Sequence, residues 1–228
     1  MKNSIVTGAS GNLGKACVEK FASDGYAVTA IIPPGTTLGF TAKNTAVVEI
    51  DLQDEHTTTL ALEKIISETD RIDAALLLVG GFAMGNMLET DGRALKKMIS
   101  LNFDSTFFAC RPIFKKMLTQ PNGGRIIMIG ARPALQPADG KNMIAYALSK
   151  SLIFKFAELL NAEGASKNVI TSVIVPSTLD TPANRNAMPD ANFKDWVTPE
   201  EIASAVADLC SDKIKSLRDP VLKFYGNA

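Results

Sequence analysis

Apolar residues along the chain alternate between short continuous runs and longer stretches with helical periodicity. Ile5-Val6 ends a first run, and Tyr26 to Ile32, Ala46 to Ile50, Ala74 to Val79, Arg125 to Ile129, Val169 to Val175 and Val221 to Tyr225 follow as strand-sized segments. Between them Lys15 to Ser23, Thr57 to Glu68, Asp91 to Lys116 and Tyr146 to about Ala162 carry a helical pattern, and Pro199-Glu200-Glu201 opens a last helix with a first-turn proline and early acids. Pro112 requires a kink or a break in the long third pattern. The run Ala74 to Val79 is apolar throughout, as a central parallel strand covered on both faces should be. Strand and helix patterns alternate almost without exception, which predicts an α/β fold with a doubly wound, mainly parallel sheet flanked by helices. No linker, repeat or low-complexity block divides residues 1–228, so a single domain is expected. Less regular segments follow strands at about 80–90, 130–145 and 176–198, where the C-terminal crevice of such a sheet holds ligand-binding loops.

Composition narrows the function classes. With 24 acidic and 24 basic residues, the chain has no global field to recruit nucleic acid or anionic lipid. Its apolar runs are far below membrane-spanning length. Ser4-Ile5-Val6 runs straight into a glycine turn without a leader pattern, so a cytoplasmic protein is expected. Cys17, Cys110 and Cys210 are dispersed among apolar residues and read as small buried hydrophobes. His56 is the single histidine, which leaves no basis for a histidine-rich metal site or a Ser-His triad. No metal is expected.

The first chemical signal is TGASGNLG, with Gly8, Gly11 and Gly14 between a strand and a helix. Gly8 would allow a tight turn, Gly11 the approach of a pyrophosphate, and Gly14 close packing of helix on strand. Backbone N–H groups around Leu13 at the helix start would hold phosphates, with Ser10 and Asn12 as extra donors. The glycine spacing alone also fits an ordinary turn; the surrounding βαβ pattern favours a Rossmann-type dinucleotide site. The end of the second strand reads Ile31-Ile32-Pro33-Pro34, with neither an acid for a free ribose 2′-hydroxyl nor an arginine for a 2′-phosphate, so NADH or NADPH stays open. Asp51 could accept the adenine amino group while Leu52 packs on the ring; equally, Asp51 could open a loop or cap a helix.

The second signal is YALSK. Tyr146 and Lys150, four residues apart, share a helix face, and an ammonium beside a phenol favours the phenolate, lowering its ordinary pKa near 10. Tyrosine then becomes a usable general acid for reducing a carbonyl or imine, and Lys150 can also hold the nicotinamide ribose. The spacing alone also fits a surface pair. Asn102, a poor helix former inside the long helical pattern, could bind a backbone carbonyl and order a water near the lysine, or face solvent.

Together, TGASGNLG, Asn102 and YALSK resemble the short-chain dehydrogenase/reductase superfamily over nearly the whole chain. Within it the chain is most similar to the dihydropteridine reductases: they share the GxxGxxG spacing, the pair Gly80-Gly81 in place of NNAG, a GAxxAL segment matching Gly130 to Leu135, and the stretch Thr178 to Glu201. The resemblance implies hydride transfer from NADH or NADPH to a quinonoid dihydropteridine-like acceptor. It implies catalytic roles for Tyr146, Lys150 and Asn102, and cofactor contacts from Gly80, Gly81 and Thr181. Where the superfamily has a catalytic serine, this chain has Pro133 and Ala134. An oxyanion donor contributes about 2.7–4 kcal/mol, so its absence points to an already electron-poor acceptor. Ile32 matches the subfamily's NADH-selecting aspartate, and Phe82 matches an aromatic residue able to flank a flat ring. Arg132, Asn184 and Met188 are substrate-side candidates, the last two in a loop at about 177–198 with Trp196 as its anchor. Quinones or activated carbonyls are the alternative acceptors, and a non-catalytic dinucleotide-binding regulator is the alternative class. Apolar helices carrying Phe103, Phe107, Phe108, Phe154 and Phe156 point to a homo-dimer or homo-tetramer, and the resemblance implies a dimer.

Overall fold

A computed structural model describes residues 1–211, 213–214 and 216–227. Its seven parallel strands are β1 (Asn3–Thr7), β2 (Ala27–Ile32), β3 (Thr45–Glu49), β4 (Ala74–Leu77), β5 (Gly124–Ile129), β6 (Val169–Pro176) and β7 (Val221–Phe224), ordered β3-β2-β1-β4-β5-β6-β7. The helices α1 (Asn12–Ser23), α2 (Glu55–Ser67), α3 (Gly92–Ile99), α4 (Ser105–Leu118), α5 (Arg132–Leu135), α6 (Pro137–Gly140), α7 (Ile144–Gly164), α8 (Pro182–Ala187) and α9 (Pro199–Leu209) complete the layers.

Side chains of a strand point alternately to the two faces, and the core divides accordingly. Val6, Val28, Leu76, Ile127 and Ile174 meet Leu13, Phe21 and Val206 from α1 and α9. Their neighbours Ile5, Ile31, Leu77, Ile126 and Val173 meet Leu62, Ile113, Met117 and Ile153 from α2, α4 and α7. Each fully buried side chain of this size contributes about 1.5–3 kcal/mol. The predicted doubly wound parallel sheet is the observed one.

Several boundaries depart from the sequence pattern. β4 stops at Leu77 instead of Val79, because the Leu78 N–H donates to the Thr7 hydroxyl at 3.0 Å. The strand order reverses between β1 and β4, where the crevice of such a sheet lies. The break in the long helical pattern falls at Ser100–Asp104, wound as a π-turn, and Pro112 lies buried inside α4. The expected loops at 130–145 and 176–198 contain α5, α6 and α8.

Helix α1 crosses β1 so closely that glycine is required at its first turn. A Cβ on Gly14 would lie 2.1 Å from the Gly8 carbonyl oxygen, whereas one on Gly92 would meet nothing within 4 Å. Gly14→Ala should therefore destabilise by about 1–3 kcal/mol, read as a lower Tm in a thermal melt. Gly92→Ala, in the first turn of α3, should leave Tm unchanged or slightly raised.

Candidate functional site

The glycine turn brings unpaired backbone donors to the crevice. Gly8 takes a left-handed φ of +65°, which reverses the chain after β1, and Ala9 N–H bonds the Ile31 carbonyl at 3.1 Å. Gly11 then enters α1 in an extended conformation, without a side-chain cap and with no acid in the first turn. The first N–H groups of the helix are left for an outside acceptor. Ser10, Gly11 and Asn12 are exposed there, and Leu13 and Gly14 turn inward. An uncapped positive helix end over a glycine floor fits a pyrophosphate.

At the next strand end, Asp51 is exposed and one oxygen accepts from Gln53 N–H at 3.1 Å. Leu52, expected beneath the adenine, turns towards the core. It is buried with Ile50 and Leu62, because an isolated leucine is better stabilised by the core than by the rim.

The centre of the site is organised by a buried asparagine. Asn102 is fully buried in the π-turn, so it does not face solvent. Its Oδ1 accepts from Gly81 N–H at 2.8 Å, while Nδ2 donates to the Gly81 carbonyl at 3.1 Å and to Ser149 Oγ at 2.9 Å. Ser149 in turn donates to the Tyr146 carbonyl at 2.8 Å. Asn102 thus ties the turn after β4 to the first turns of α7, where Tyr146 stands. π-turns recur where a helix bends to serve a site.

Lys150 is also buried, and its Nζ donates to the Ile129 carbonyl at the end of β5 at 2.9 Å. Gly80 adjoins it: a Cβ there would sit 2.6 Å from Asn102 Oδ1 and 3.0 Å from Lys150 Nζ. Gly80 therefore lets the turn after β4 pack directly on the ammonium and the amide, and Gly81 lets it pack on Leu101. Tyr146 meets the ring of Phe82 edge to face, with centroids 5.1 Å apart. Phe82 lies on the loop after β4, which is pinned to the start of α7 by Gly85 N–H to the Asn142 carbonyl at 2.8 Å and Ile144 N–H to the Gly85 carbonyl at 2.9 Å.

The electrostatics reverse one expectation. Burial pushes the Tyr146 phenol up to about 12, and burial pulls Lys150 down to about 8. Loss of water acts on both groups more strongly than their mutual attraction. The phenol accordingly keeps its proton at neutral pH.

The substrate-side candidates diverge. Arg132 pairs with Asp139 at 3.0 Å and stacks over the Tyr225 ring at 5.5 Å, contacts that join α5 and α6 to the end of β7. Thr181 is buried as the cap of α8, its hydroxyl accepting from Asn184 N–H at 3.2 Å. The Asn184 side chain donates to the Leu179 carbonyl at 2.8 Å, and Arg185 makes two bonds to Asp180 at 2.5 and 2.7 Å. Those bonds hold the Asp180 carboxyl below its ordinary range. Trp196 packs on Phe193, so the 177–198 segment is a braced rim with Met188 half-exposed upon it. The structure commits Arg132 and Asn184 to these internal contacts.

Ser149 and the Ile129 carbonyl were missed by sequence reasoning. Ser149 stood inside YALSK, and its inward face could have been inferred from its place beside Lys150. The Ile129 carbonyl carries no sequence signal. Cys17 and Cys210 have thiols pushed up to about 12 by burial, and Cys110 is raised in the same way, which makes all three inert. Among the described residues, no group of three or more His, Cys, Asp or Glu could hold a metal, and no helix is long and apolar enough to cross a membrane.

Comparison with known proteins agrees with this geometry. A family model described as short chain dehydrogenase matches residues 2–192. A dihydropteridine reductase of Dictyostelium discoideum is 34% identical over 89% of this chain and 84% of its own. An acetoacetyl-CoA reductase of an Acinetobacter strain is 26% identical over 92% of this chain and 91% of its own. A solved short-chain dehydrogenase/reductase variant from Serratia marcescens superposes with a TM-score of 0.85 at 23% identity, covering 99% of this chain and 97% of that one.

The buried lysine yields a sign-specific prediction. Its folded value of about 8 lies below the ordinary 10.5, so the unfolded chain holds the proton more tightly between those limits, and stability from this site rises with pH across that window. Below about pH 8 the full cost of the buried charge is present. Lys150→Met should therefore raise Tm at pH 7, and its advantage should shrink as melts are taken from pH 8 towards 10.5.

Proposed function

The chain belongs to the short-chain dehydrogenase/reductase family of oxidoreductases, and from that premise we propose that it transfers hydride from NADH or NADPH to a flat, electron-poor acceptor of the quinonoid dihydropteridine class. The observation that carries this reading is the Tyr146, Lys150 and Asn102 constellation standing beside α5, where Pro133 and Ala134 occupy the place of a serine hydroxyl. An acceptor already short of electrons needs less help from a second oxygen-directed donor. The activity named for the Dictyostelium relative supports the same class.

A reduced nicotinamide, when bound, supplies the hydride. The uncapped start of α1 and Gly11 would receive the pyrophosphate, and Asp51 would stand at the adenine end. Gly80 lets the turn after β4 lie against Lys150 without displacing its ammonium. One Lys150 proton is committed to Ile129, and the remaining ammonium protons are available to the ribose and to the Tyr146 oxygen. As the electron-poor ring system takes up the hydride, Tyr146 Oη would give its proton to the acceptor nitrogen or oxygen that becomes basic, and Lys150 would meet the negative charge left on the phenol. Water reprotonates Tyr146 after product leaves. Phe82, exposed and set edge-on to Tyr146, offers a face to a planar acceptor.

A second acceptor class, activated carbonyls or quinones, draws support from the acetoacetyl-CoA reductase likeness. Quinonoid dihydropteridine should be reduced faster than a simple quinone or a β-keto thioester in parallel assays following cofactor absorbance; the reverse order would replace the pterin reading by the carbonyl one. Tyr146→Phe should lower turnover by about 10²–10⁴-fold, the usual contribution of a positioned acid, with dinucleotide affinity by calorimetry unchanged.

The same reading includes a homo-dimer or homo-tetramer. Phe107 is partly exposed in a ring cluster with Phe103 and Phe156, at centroid distances of 6.1 and 5.4 Å. Leu148, Leu152 and Leu159 are exposed on one face of α7 at helical spacing. Phe154 instead packs inward against Gly130. Leu159→Glu should shift the mass by light scattering towards the monomer while leaving the far-ultraviolet circular dichroism spectrum unaltered.

A further inference from the structure

The turn after β2 holds no charge of its own where a carboxylate commonly meets the ribose 2′-hydroxyl. The neighbouring strand supplies one in space. β2 and β3 pair with Ile32 opposite Glu49, one strand spacing of about 4.8 Å apart. The exposed Glu49 carboxylate reaches over the turn, and its Oε2 accepts from Gly35 N–H at 2.8 Å. The turn is also closed on itself, since the Pro33 carbonyl accepts from the Thr36 N–H at 3.2 Å and the Thr36 hydroxyl at 2.7 Å. One carboxylate oxygen is thereby anchored to the loop, and among the described residues the other has no hydrogen-bond partner.

We propose that Glu49 selects the unphosphorylated ribose and makes NADH the preferred cofactor. This rests on the dinucleotide reading given above. A 2′-hydroxyl can donate to the second carboxylate oxygen; a 2′-phosphate cannot, and it brings like charge against a carboxylate that the Gly35 bond restrains. Discrimination by such a repulsive element needs no new attraction to the favoured ligand. The sequence offers the phosphate no cation in this turn, for no Lys or Arg occurs between Lys20 and Lys43. Lys15, at the first turn of α1, sets its ammonium over the Phe40 ring, 5.2 Å from the centroid. The acid expected at the end of β2 has thus moved one strand sideways.

The test is calorimetric titration of NADH and NADPH into the full-length protein and into Glu49→Gln and Glu49→Lys, with melts to verify folding. Glutamine keeps an oxygen for Gly35 N–H and removes the charge, so it separates electrostatics from loop anchoring. The wild type should bind NADH at least about tenfold more tightly, Gln should narrow that ratio mainly by strengthening NADPH, and Lys should invert it. Adenosine 5′-monophosphate and adenosine 2′,5′-bisphosphate should follow the same rank, which locates the effect at the 2′ position. Equal affinities in the wild type, a preference for NADPH, a ratio unmoved by both variants, or a ratio governed by Lys15→Gln would each overturn the assignment alone. Binding of neither dinucleotide would overturn it together with the cofactor reading beneath it.

Discussion

A lysine buried among strand ends is the constraint around which this site is built. Water is the best solvent an ammonium has, and Lys150 gives it up for the Ile129 carbonyl. The residues around it follow from that exchange. Gly80 must lack a side chain because its Cβ position lies against Nζ and the Asn102 amide. Asn102 must present an oxygen and a nitrogen together, since Gly81 offers it one donor and one acceptor. The π-turn lets a helix otherwise committed to the core hold that amide at the required depth. The two apolar layers on either side of the sheet supply the stability against which a buried cation can be maintained.

Much of the fold was legible because it rests on local periodicity. A continuous run such as Ala74 to Leu77, stopped by a glycine pair, reads as a central strand, and Gly8 and Gly14 mark a turn whose left-handed φ and close helix approach other residues do not accommodate. Features made by contacts between distant segments were not legible. The Thr7 hydroxyl ends β4 from 71 residues away, and no window of sequence around Leu78 contains that information. Leu52 looked like a ring platform because an apolar residue after an exposed acid has no local reason to turn inward. The α5 and α6 turns were hidden because Pro133 and Pro137 read as loop markers, although each sits in the first turn of a short helix.

The Tyr146 and Lys150 spacing was visible, whereas the direction of its electrostatics depended on burial. A pairwise charge argument favours a lowered phenol, yet two groups withdrawn together from water each move towards their neutral forms.

Two backbone bonds join Gly85 to residues 142 and 144 and tie the loop after β4 to the start of α7. Through them Phe82, its loop and the first turn of α7 form a single mechanical piece. The opposite bank is joined to the body through Leu179, Asp180 and Val197 and carries α8. The two banks are thus braced independently, one through Gly85 and the other through Val197, so that a substitution in either leaves the backbone bonds of the other in place.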